Sequence, residues 1–515
     1  MPCLAYILVL TFTLGSAERL TDGHLVYALD DAYIHMSVAK TLVLSHTYGL
    51  QSHQFSSPES TILWPFLVAL GFLVTGSSLR VPLILNILFS IAAIFSMSYL
   101  LARLKIGPAW RLIAGLLLVF MTPLVPLSMT GMEHIGQCVA VLLFAGCFVL
   151  TLSRDRNSLV ENAAVCCSAS LMVLFRFEGL FVAFAAAVLL VWKKRWTEGA
   201  LAMLGAGLPA IAFALWLRSH GHFFLPDSMA VKHPQSIVGT LTLNLIINPV
   251  GRSLALSSIC LVAMLPLVTR KTCATTALGL LTLFAVGIHA ILSPFGWFYR
   301  YEAYLVALLI LALVLALHDL SADLRLNPAA GSIRLLTFLV LFSACSWGLI
   351  ERGIIAQNKV SLATQDIYLQ QVQMSRFFAR YYSGEPIALN DIGAVSYFGQ
   401  SPILDIHGLA SHDVARLKLE KRYDYPAMLA LAAQNGVSVA AVYDDNVPQW
   451  TKAGVWYIPR EQVVLGSTKV YFYATSPCKA AALASQLQDF QTSVPTGTML
   501  FTNPNLPGNC SPAAH

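Results

Sequence analysis

The chain has 515 residues, of which 57% are hydrophobic and only 11% are charged. A chain this apolar cannot remain in water as a single globule, which excludes a soluble enzyme and predicts an integral membrane protein. The net charge of +6 would suggest an anionic partner for a soluble protein, but lysine and arginine are concentrated here in short loops that set membrane topology. We therefore expect a surrounding lipid bilayer and no nucleic-acid partner.

A transmembrane helix needs about 20 mainly apolar residues, and about eleven segments of the chain approach this length. The first of them has the apolar core of a signal peptide but lacks a basic region before it, so we interpret it as a short first span. The predicted spans are residues 3–17, 82–101, 109–128, 135–153, 158–175, 179–193, 198–217, 253–269, 274–293, 301–317 and 333–350.

Clusters of lysine and arginine fall in alternate loops, which predicts that these loops are cytoplasmic. The clusters lie within residues 103–111, 154–156, 193–195, 270–271 and 325–334. A further apolar stretch, residues 61–76, would break the alternation if it crossed the membrane. Because it is short and carries Trp64 and Pro65, we expect an interfacial or re-entrant helix there. The loop of residues 18–81 then lies wholly outside.

The composition changes after the last span, where the chain takes on the polar and charged content of a soluble domain. We therefore divide it into a membrane domain, residues 1–352, and an outer soluble domain, residues 353–515. In the soluble domain, PIALNDIGAVSYF, SPILDIHGL and VVLGSTKVYFYAT are predicted strand regions, and AMLALAAQNGVSVAAVYDD is a predicted helix followed by a strand. This pattern indicates an α/β or α+β domain. Cys478 and Cys510 would form a disulfide if the domain is extracytoplasmic.

The adjacent carboxylates of Asp30 and Asp31 lie just beyond the first apolar segment, near the start of the outer loop. Such a pair could supply a general base, since transfer of a group to a hydroxyl requires removal of its proton. It could also bind a divalent cation such as Mg²⁺, Mn²⁺ or Ca²⁺. The structural alternative is a helix N-terminus, where aspartate caps free N–H groups. The pair alone leaves all three interpretations open.

Other scarce charges fall at the same predicted membrane face. Glu133 and His134, in TGMEH, begin a span, where they would either orient an acceptor hydroxyl or cap the helix. Arg176 and Glu178, in RFEG, would either bind a phosphate through the guanidinium or neutralise each other. His35 is expected to be a surface or packing residue, because the histidines of the first loop lack the spacing of a compact metal site.

Lys232, in DSMAVK, and Arg300, in FYRYE, are further outer cations beside aromatic residues. A charged side chain at a membrane boundary often extends to water without any other role. Several on one face, with carboxylates nearby, are more typical of a site for an anionic lipid headgroup. Asp391, Asp405 and His407 follow predicted strands, and we favour turn formation over acceptor contacts for them.

The order of the motifs is similar to that of one known family. The motifs are DDAYI, SSPESTILWP, TGMEH, FRFEG, FLPDSMAVK, FYRYEAYL, NDIGAVSYF and LDIHGL. Taken together they resemble the GT-C class of polyprenyl-phosphate-sugar-dependent glycosyltransferases, and within it the branch of the mycobacterial terminal arabinofuranosyltransferases. The resemblance covers nearly the whole chain. Two departures are the extra residues between SSPES and Trp64, and Asp227 in a position where asparagine is common.

The resemblance implies an inverting transfer, either metal-assisted or metal-independent. It implies that Asp30 or Asp31 is the catalytic base; we prefer Asp30, with the second carboxylate tuning it or binding a cation. Arg176, Lys232 and Arg300 would bind the phosphate of the donor. The further residues expected to contact substrate are Tyr33, Ser57, Glu133, His134, Glu178 and Tyr301.

We therefore expect a polytopic α-helical, GT-C-like glycosyltransferase of the bacterial inner membrane, with its soluble domain in the periplasm. Its donor would be a polyprenyl-phosphate-linked sugar, a pentofuranose being one candidate, and its acceptor a hydroxyl of a cell-envelope glycan or glycolipid. An alternative is a transporter or flippase of a lipid-linked sugar, which should place ionisable groups near the bilayer midplane. A third is a non-catalytic scaffold whose soluble domain binds glycan.

Overall fold

The computed structural model describes residues 1–52, 54–232, 236–268, 271–326 and 328–507. Its first part, up to residue 367, contains helices and connecting loops. The helices are α1 (Pro2–Leu20), α2 (Asp31–Ser45), α3 (Trp64–Thr75), α4 (Arg80–Arg103), α5 (Pro108–Met121), α6 (Leu124–Met129), α7 (His134–Leu152), α8 (Leu159–Phe175), α9 (Gly179–Trp192), α10 (Trp196–Ser219), α11 (Asp227–Lys232), α12 (Ile237–Leu241), α13 (Pro249–Met264), α14 (Cys273–Leu292), α15 (Ala303–Leu326) and α16 (Pro328–Ile367).

Seven of the helices in the described ranges are long and apolar enough to cross a bilayer, namely α1, α4, α7, α10, α14, α15 and α16. An eighth span arises if residues 237–247 are taken together with α13, to which they are joined at an angle of 84°. Ten of the eleven apolar segments predicted from the sequence overlap a single long helix, whereas residues 109–128 are divided between α5 and α6, with a break at Thr122 and Pro123. A polytopic α-helical membrane protein is therefore confirmed, while the number of spans stays a prediction.

Four apolar helices are shorter than a full span: α3, α5, α8 and α9. Among them α3 has 12 residues, which at the rise of an α-helix corresponds to about 18 Å, well short of a hydrocarbon core of about 30 Å. Its length agrees with the interfacial or re-entrant helix predicted for residues 61–76. It packs against α2 and α4, and so connects the loop of residues 18–81 to the membrane helices.

Side-chain caps determine where several helices begin. Ser158 and Glu161 form a reciprocal capping box at the start of α8. At the start of α13 the side chain of Asn248 accepts hydrogen bonds from the N–H groups of Val250 and Gly251. These caps provide acceptors for N–H groups that would otherwise be unpaired at the membrane boundary.

The C-terminal part combines helices with one six-stranded mixed sheet. The strands are β1 (Ile387–Leu389), β2 (Ile403–Asp405), β3 (Val439–Val442), β4 (Thr451–Tyr457), β5 (Lys469–Ala474) and β6 (Met499–Thr502), in the order β2-β1-β3-β5-β4-β6. The first three in this order are parallel, with Ile387 opposite Ile403 and Val439, whereas β5, β4 and β6 are antiparallel. The helices are α17 (Gln373–Tyr381), α18 (Gly393–Phe398), α19 (His412–Leu419), α20 (Tyr425–Gln434) and α21 (Pro477–Phe490).

The predicted mixed α and β content of this part is confirmed, with corrections in detail. PIALNDIGAVSYF is a strand only at Ile387–Leu389, and its second half is the helix α18. The β-prone residues of α18 are helical because the helix packs on α2, which supplies a cap for its N-terminus. The sequence did not predict β4, β6 or α21. Cys510 lies outside the described residues, so its pairing with Cys478 stays a prediction.

The two parts of the chain are joined by a continuous helix and by packing. Helix α16 runs without a break through residue 352, the predicted domain boundary, and the first strand begins only at Ile387. That boundary stays a prediction. Helix α18 packs on α2, where the Lys40 ammonium donates to the carbonyl of Tyr397 at 2.8 Å and the hydroxyls of Ser37 and Ser396 lie 2.8 Å apart. The loop of residues 18–81 therefore packs directly against the soluble part.

Helices α8 and α10 pack at a close approach that generates a first prediction. A Cβ atom at Gly205 would lie 2.2 Å from the carbonyl oxygen of Cys166, whereas one at Gly207, on the same helix, would meet nothing within 4 Å. Both Gly→Ala changes gain the same helix propensity. Gly205→Ala should therefore be less stable than the matched control Gly207→Ala, by about 1–3 kcal/mol. Thermal unfolding of the two variants in detergent measures this difference, and equal midpoints would contradict the packing.

Candidate active site

A small cavity lies between α2, α11 and the loops that follow α8 and α14, and we call it the membrane-side cavity. Its volume is about 140 Å³. Its charged lining combines groups of both signs, which is unusual at the edge of a bilayer. The charged and phenolic residues in its wall are Asp31, His35, Glu59, Arg176, Glu178, Lys232, Arg300 and Tyr301.

A second cavity lies between the first one and the soluble part, and we call it the domain-side cavity. Its volume is about 480 Å³, and its polar lining includes Gln371, Asn390 and Asp391 from the soluble part. Asp31, Lys232, Tyr301 and three apolar residues line both cavities. The two cavities therefore meet at a junction with a carboxylate, an ammonium and a phenol in its wall.

Asp30 connects the outer loop to the soluble part. Its two carboxylate oxygens accept hydrogen bonds from the backbone N–H groups of Gly393 and Ala394, at 2.7 and 2.8 Å. A Cβ at residue 393 would lie 2.1 Å from the Asp30 carbonyl oxygen, so only glycine allows this approach. Desolvation and the nearby Asp391 carboxylate raise the pKa of Asp30, although the two N–H donors oppose this. Asp30 thus acts as a cap for α18.

Asp31 faces the junction of the cavities, with its side chain 26% exposed. Its carboxylate accepts a hydrogen bond from the Arg300 guanidinium at 2.5 Å. Desolvation alone would raise its pKa, but the charges of Arg300 and Lys232 outweigh it and hold the pKa of Asp31 below its usual range. Asp31 is therefore ionised at neutral pH and accessible to a substrate.

The predicted cation between Asp30 and Asp31 does not fit this arrangement. Hard divalent cations need several convergent oxygen ligands, whereas Asp30 is engaged by N–H donors and Asp31 by a guanidinium. Within the described ranges, three metal-ligating side chains converge elsewhere, at His222, Asp227 and His412. No step of the chemistry below is therefore assigned to a metal.

Arg176 is enclosed by carboxylates. It forms a bidentate pair with Glu178, at 3.0 and 2.7 Å, and a third hydrogen bond with Glu133 at 2.6 Å. All three side chains are buried. Of the two interpretations of RFEG, the mutual neutralisation of Arg176 and Glu178 is the one seen in the structure. Without rearrangement, Arg176 has little capacity left to bind a donor phosphate.

His35 belongs to the site, although the sequence suggested only a surface or packing role. Its imidazole lies 2.9 Å from the Glu59 carboxylate and 3.6 Å from that of Glu133, and all three side chains are buried. Burial disfavours the imidazolium, but Glu59 and Glu133 outweigh it and raise the pKa of His35. Glu59, which the sequence reasoning missed, is the acidic residue of SSPESTILWP. Its position in a polar run before an apolar helix was an available signal.

Lys232 and Arg300 are the cations best placed for a ligand. Lys232 is exposed and forms no ion pair with any residue of the described ranges. Arg300 is buried, and its Nε atom has no hydrogen-bond partner among the described residues. Both lie near Tyr301, over whose ring the Arg300 guanidinium sits at 5.0 Å. Desolvation would raise the pKa of the Tyr301 phenol, but the two cations lower it overall.

The other predicted substrate residues are packed away from the cavities. The phenol of Tyr33 accepts the N–H of Tyr27 at 3.2 Å, and the hydroxyl of Ser57 accepts the N–H of Asp227 at 3.1 Å. His134 is buried behind the cavity wall, and neither of its ring nitrogens has a hydrogen-bond partner in the described part of the chain. Glu133 is not in the cavity wall itself and is connected to it by its hydrogen bond with Arg176. These residues support the site without lining it.

The soluble part contributes residues that the sequence assigned to turns. Asp391 lines the domain-side cavity and accepts hydrogen bonds from the Tyr443 phenol and, at 2.6 Å, from the Gln371 amide. His407 lines the same cavity. Asp405 instead closes a turn, accepting the N–H of His407 and that of Ala410 at 2.8 Å each. Only the assembled fold distinguishes these two aspartates, because both follow a strand.

Comparison with known proteins places this geometry in context. A family model described as a domain of unknown function, DUF8728, matches residues 364–473. No curated protein matches the sequence. The crystal structure of ArnT from Cupriavidus metallidurans in the apo state is similar in fold, with a TM-score of 0.55 and 12% identity over 93% of this chain and 98% of ArnT. ArnT is a GT-C glycosyltransferase. The chain has the GT-C fold.

Two further solved structures are similar to the chain. ArnT from the same organism bound to undecaprenyl phosphate has a TM-score of 0.54 and 12% identity, with the same coverage. Arabinofuranosyltransferase AftD from Mycobacteria has a TM-score of 0.44 and 14% identity, over 92% of this chain and 41% of AftD. The two ArnT structures confirm, at the level of the fold, the GT-C resemblance predicted from the motifs. The arabinofuranosyl branch stays a prediction as to substrate.

The pairing of Arg176 leads to a second prediction. Arg176→Met leaves the buried carboxylates of Glu133 and Glu178 without their cation, which should lower the free energy of unfolding by about 3–5 kcal/mol. Lys232→Met, the matched control at an exposed cation of the same cavity, should change it by less than about 0.5 kcal/mol. Thermal unfolding in detergent separates the two. Equal effects would show that Arg176 is not held by these carboxylates.

Proposed function

We propose that the chain is a membrane glycosyltransferase that moves a sugar from a polyprenyl-phosphate donor to a hydroxyl of a cell-envelope glycan or glycolipid, with inversion at the anomeric carbon. The observation that carries this proposal is Asp31, an ionised carboxylate at the junction of two cavities, beside Arg300 and Lys232. A hydroxyl-activating base and cations for an anionic leaving group are the two parts that such a transfer requires.

The membrane-side cavity suits the phosphate and sugar of the donor. It lies at the outer ends of the membrane helices, which a lipid-anchored substrate can reach without leaving the bilayer. Lys232 supplies a cation without an ion-pair partner in the described ranges, and Arg300 a guanidinium with a free N–H. ArnT, which shares the fold, has been crystallised with undecaprenyl phosphate. This supports the same chemical class of donor here.

The domain-side cavity suits the acceptor. Its lining of amide, carboxyl and phenol groups from Gln371, Asn390, Asp391 and Tyr443 is typical of hydrogen bonding to sugar hydroxyls. It meets the membrane-side cavity at Asp31, and its wall adds residues of the soluble part. An acceptor hydroxyl entering this cavity would therefore meet the base before it meets the donor.

In the reaction, the acceptor oxygen forms a bond to the anomeric carbon while the bond from that carbon to the phosphate oxygen breaks. Asp31 takes the proton of the acceptor hydroxyl, and polyprenyl phosphate leaves with the bonding electrons. Lys232 and Arg300 stabilise the charge that develops on the phosphate. When the donor phosphate binds Arg300, the hydrogen bond between that guanidinium and Asp31 weakens. The pKa of Asp31 then rises toward neutral pH, which makes its carboxylate a better base.

The contacts favour Asp31 over Asp30 as the base, the reverse of the preference drawn from the sequence. Both oxygens of Asp30 already accept backbone N–H groups of α18, so they are not free to take the proton of an acceptor hydroxyl. Asp30 is then a positioning residue that fixes the soluble part over Asp31.

The charge pattern of the chain supports the predicted cellular location. The basic loops are assigned to the cytoplasm, which puts the site and the soluble part on the periplasmic side of a bacterial inner membrane. The ionisable groups of the site lie at helix ends and not at mid-span, which favours a transferase over a transporter. A pentofuranose is the first donor sugar to test, on the strength of the motif resemblance.

Donor binding provides a third prediction. Lys232→Met and Arg300→Met should each weaken binding of undecaprenyl phosphate to the purified chain by about tenfold or more, since each removes a charged contact worth about 1.5–3 kcal/mol. Lys193→Met, at an exposed cation of a predicted cytoplasmic loop, serves as the control. Native mass spectrometry of the complexes measures the effect. Unchanged binding of undecaprenyl phosphate in both Lys232→Met and Arg300→Met would show that these two residues do not bind the donor phosphate.

Transfer itself provides a fourth prediction. Asp31→Asn should lower the rate by about 10²–10⁴-fold, because the amide cannot accept the hydroxyl proton. Asp30→Asn retains one acceptor for the N–H groups of α18 and should lose less activity. The assay offers a panel of polyprenyl-phosphate sugars with envelope glycans and detects the product by mass spectrometry. If the single variant Asp31→Asn were fully active and the single variant Asp30→Asn were inactive, Asp30 and not Asp31 would be the base.

A further inference from the structure

We propose that His222, Asp227 and His412 form a divalent metal site of the zinc class, which ties the soluble part of the chain to its membrane part. Nδ1 of His222 lies 2.9 Å from one carboxylate oxygen of Asp227, and Nδ1 of His412 lies 2.9 Å from the other. The three ligand atoms all lie within 4.8 Å of one another. His222 lies in the loop between α10 and α11, Asp227 at the start of α11, and His412 at the start of α19.

The donor set matches the coordination chemistry of zinc. Zn²⁺ binds histidine nitrogen and carboxylate oxygen at about 2.0–2.2 Å in tetrahedral geometry, so that neighbouring ligand atoms are about 3.4 Å apart. Each imidazole now lies 2.9 Å from a different oxygen of Asp227, and the three ligand atoms lie within 4.8 Å of one another, so metal binding requires their separations to change by at most about 1.4 Å. Two neutral imidazoles and one carboxylate leave a net charge of +1 on the bound ion, which is less costly to bury than the free ion.

The position of the cluster suits a metal better than a surface ion pair. Asp227 is fully buried, and the side chains of His222 and His412 are 8% and 23% exposed. A cavity of about 160 Å³ is lined by both histidines and continues along the soluble part. That cavity offers a fourth coordination position to water or to a further ligand. The centroids of the two imidazole rings already lie 4.3 Å apart.

The site would hold segments that line the reaction cavities. Asp227 begins α11, and Lys232 ends it. His412 follows the turn that carries Leu409, a residue in the wall of both cavities. The backbone N–H of Asp227 also donates to Ser57, close to Glu59. A metal here would be structural, since it contacts none of the groups assigned to the transfer, and it does not depend on the proposed reaction.

The alternative is that no metal binds, and that the two parts of the chain are connected here only by hydrogen bonds from both imidazoles to Asp227. Glutamine separates these two possibilities, because its amide N–H donates to a carboxylate but its amide binds Zn²⁺ poorly. Cysteine does the opposite, since its thiolate is a good zinc ligand. His412→Gln, His222→Gln and His412→Cys are therefore the informative variants. His220→Gln, at an exposed histidine two residues from His222, is the matched control.

The experiment uses the full chain, purified in detergent through a tag without histidine and stripped of metal with a chelator. Zn²⁺ is titrated against a chromophoric competitor, and bound zinc is quantified by elemental mass spectrometry. We expect one equivalent to bind at micromolar concentration or tighter, at least about tenfold weaker binding in His412→Gln and His222→Gln, and retention in His412→Cys and His220→Gln. Gel filtration and thermal unfolding check that each variant is folded.

Two results would overturn the proposal. One is the absence of a zinc equivalent in the unmodified chain, and the other is unchanged affinity in folded His412→Gln. Cobalt(II) supplies a second readout, because a tetrahedral site with nitrogen and oxygen ligands gives intense visible absorption that octahedral Co²⁺ in solution lacks. Loss of that absorption in folded His222→Gln, with retention in His220→Gln, would place the ion at this cluster.

Discussion

The contact that positions the site is the one in which the carboxylate of Asp30 accepts two backbone N–H groups of α18. The free N–H groups at the start of a short helix need an acceptor, and a buried carboxylate needs donors, so each satisfies the other. The contact requires glycine at residue 393. It also fixes Asp31, the next residue, at the junction of the two cavities. The geometry of the site therefore follows from the capping of a helix that lies more than 360 residues away in the sequence.

Around this contact, the charges of the site fall into two sets. Arg176 and His35 are each surrounded by carboxylates and serve mainly to make a buried wall electrically neutral. Asp31, Arg300 and Lys232 face the cavities instead, and their charges are available to a ligand. The distinction matters because a paired ion in a low-dielectric wall is expensive to break, whereas a partly exposed one can exchange partners with a substrate. It is the second set that we assign to the chemistry.

The sequence predicted much of this arrangement, for identifiable reasons. Apolar segments and basic loops sufficed to locate eleven helices and to bring Glu133, Arg176, Lys232 and Arg300 to one face, because hydrophobic length and loop charge are local properties. The same reasoning did not separate Arg176 from Lys232 as phosphate ligands, since the pairing of Arg176 depends on carboxylates from distant segments. It placed Asp391 and Asp405 together as turn residues, although only Asp391 reaches the cavity. It gave no role to Glu59.

By itself, then, the sequence determined the class of protein, the positions of its long apolar helices, the mixed α and β content of the C-terminal part and the clustering of its scarce charges. These follow from composition and periodicity, which any segment carries regardless of its neighbours. Only the tertiary structure decided which charges are paired, which aspartate of the pair faces a cavity, and that His222, Asp227 and His412 converge. Those properties depend on contacts between residues far apart in the chain, and such contacts exist only once the helices and the sheet have packed.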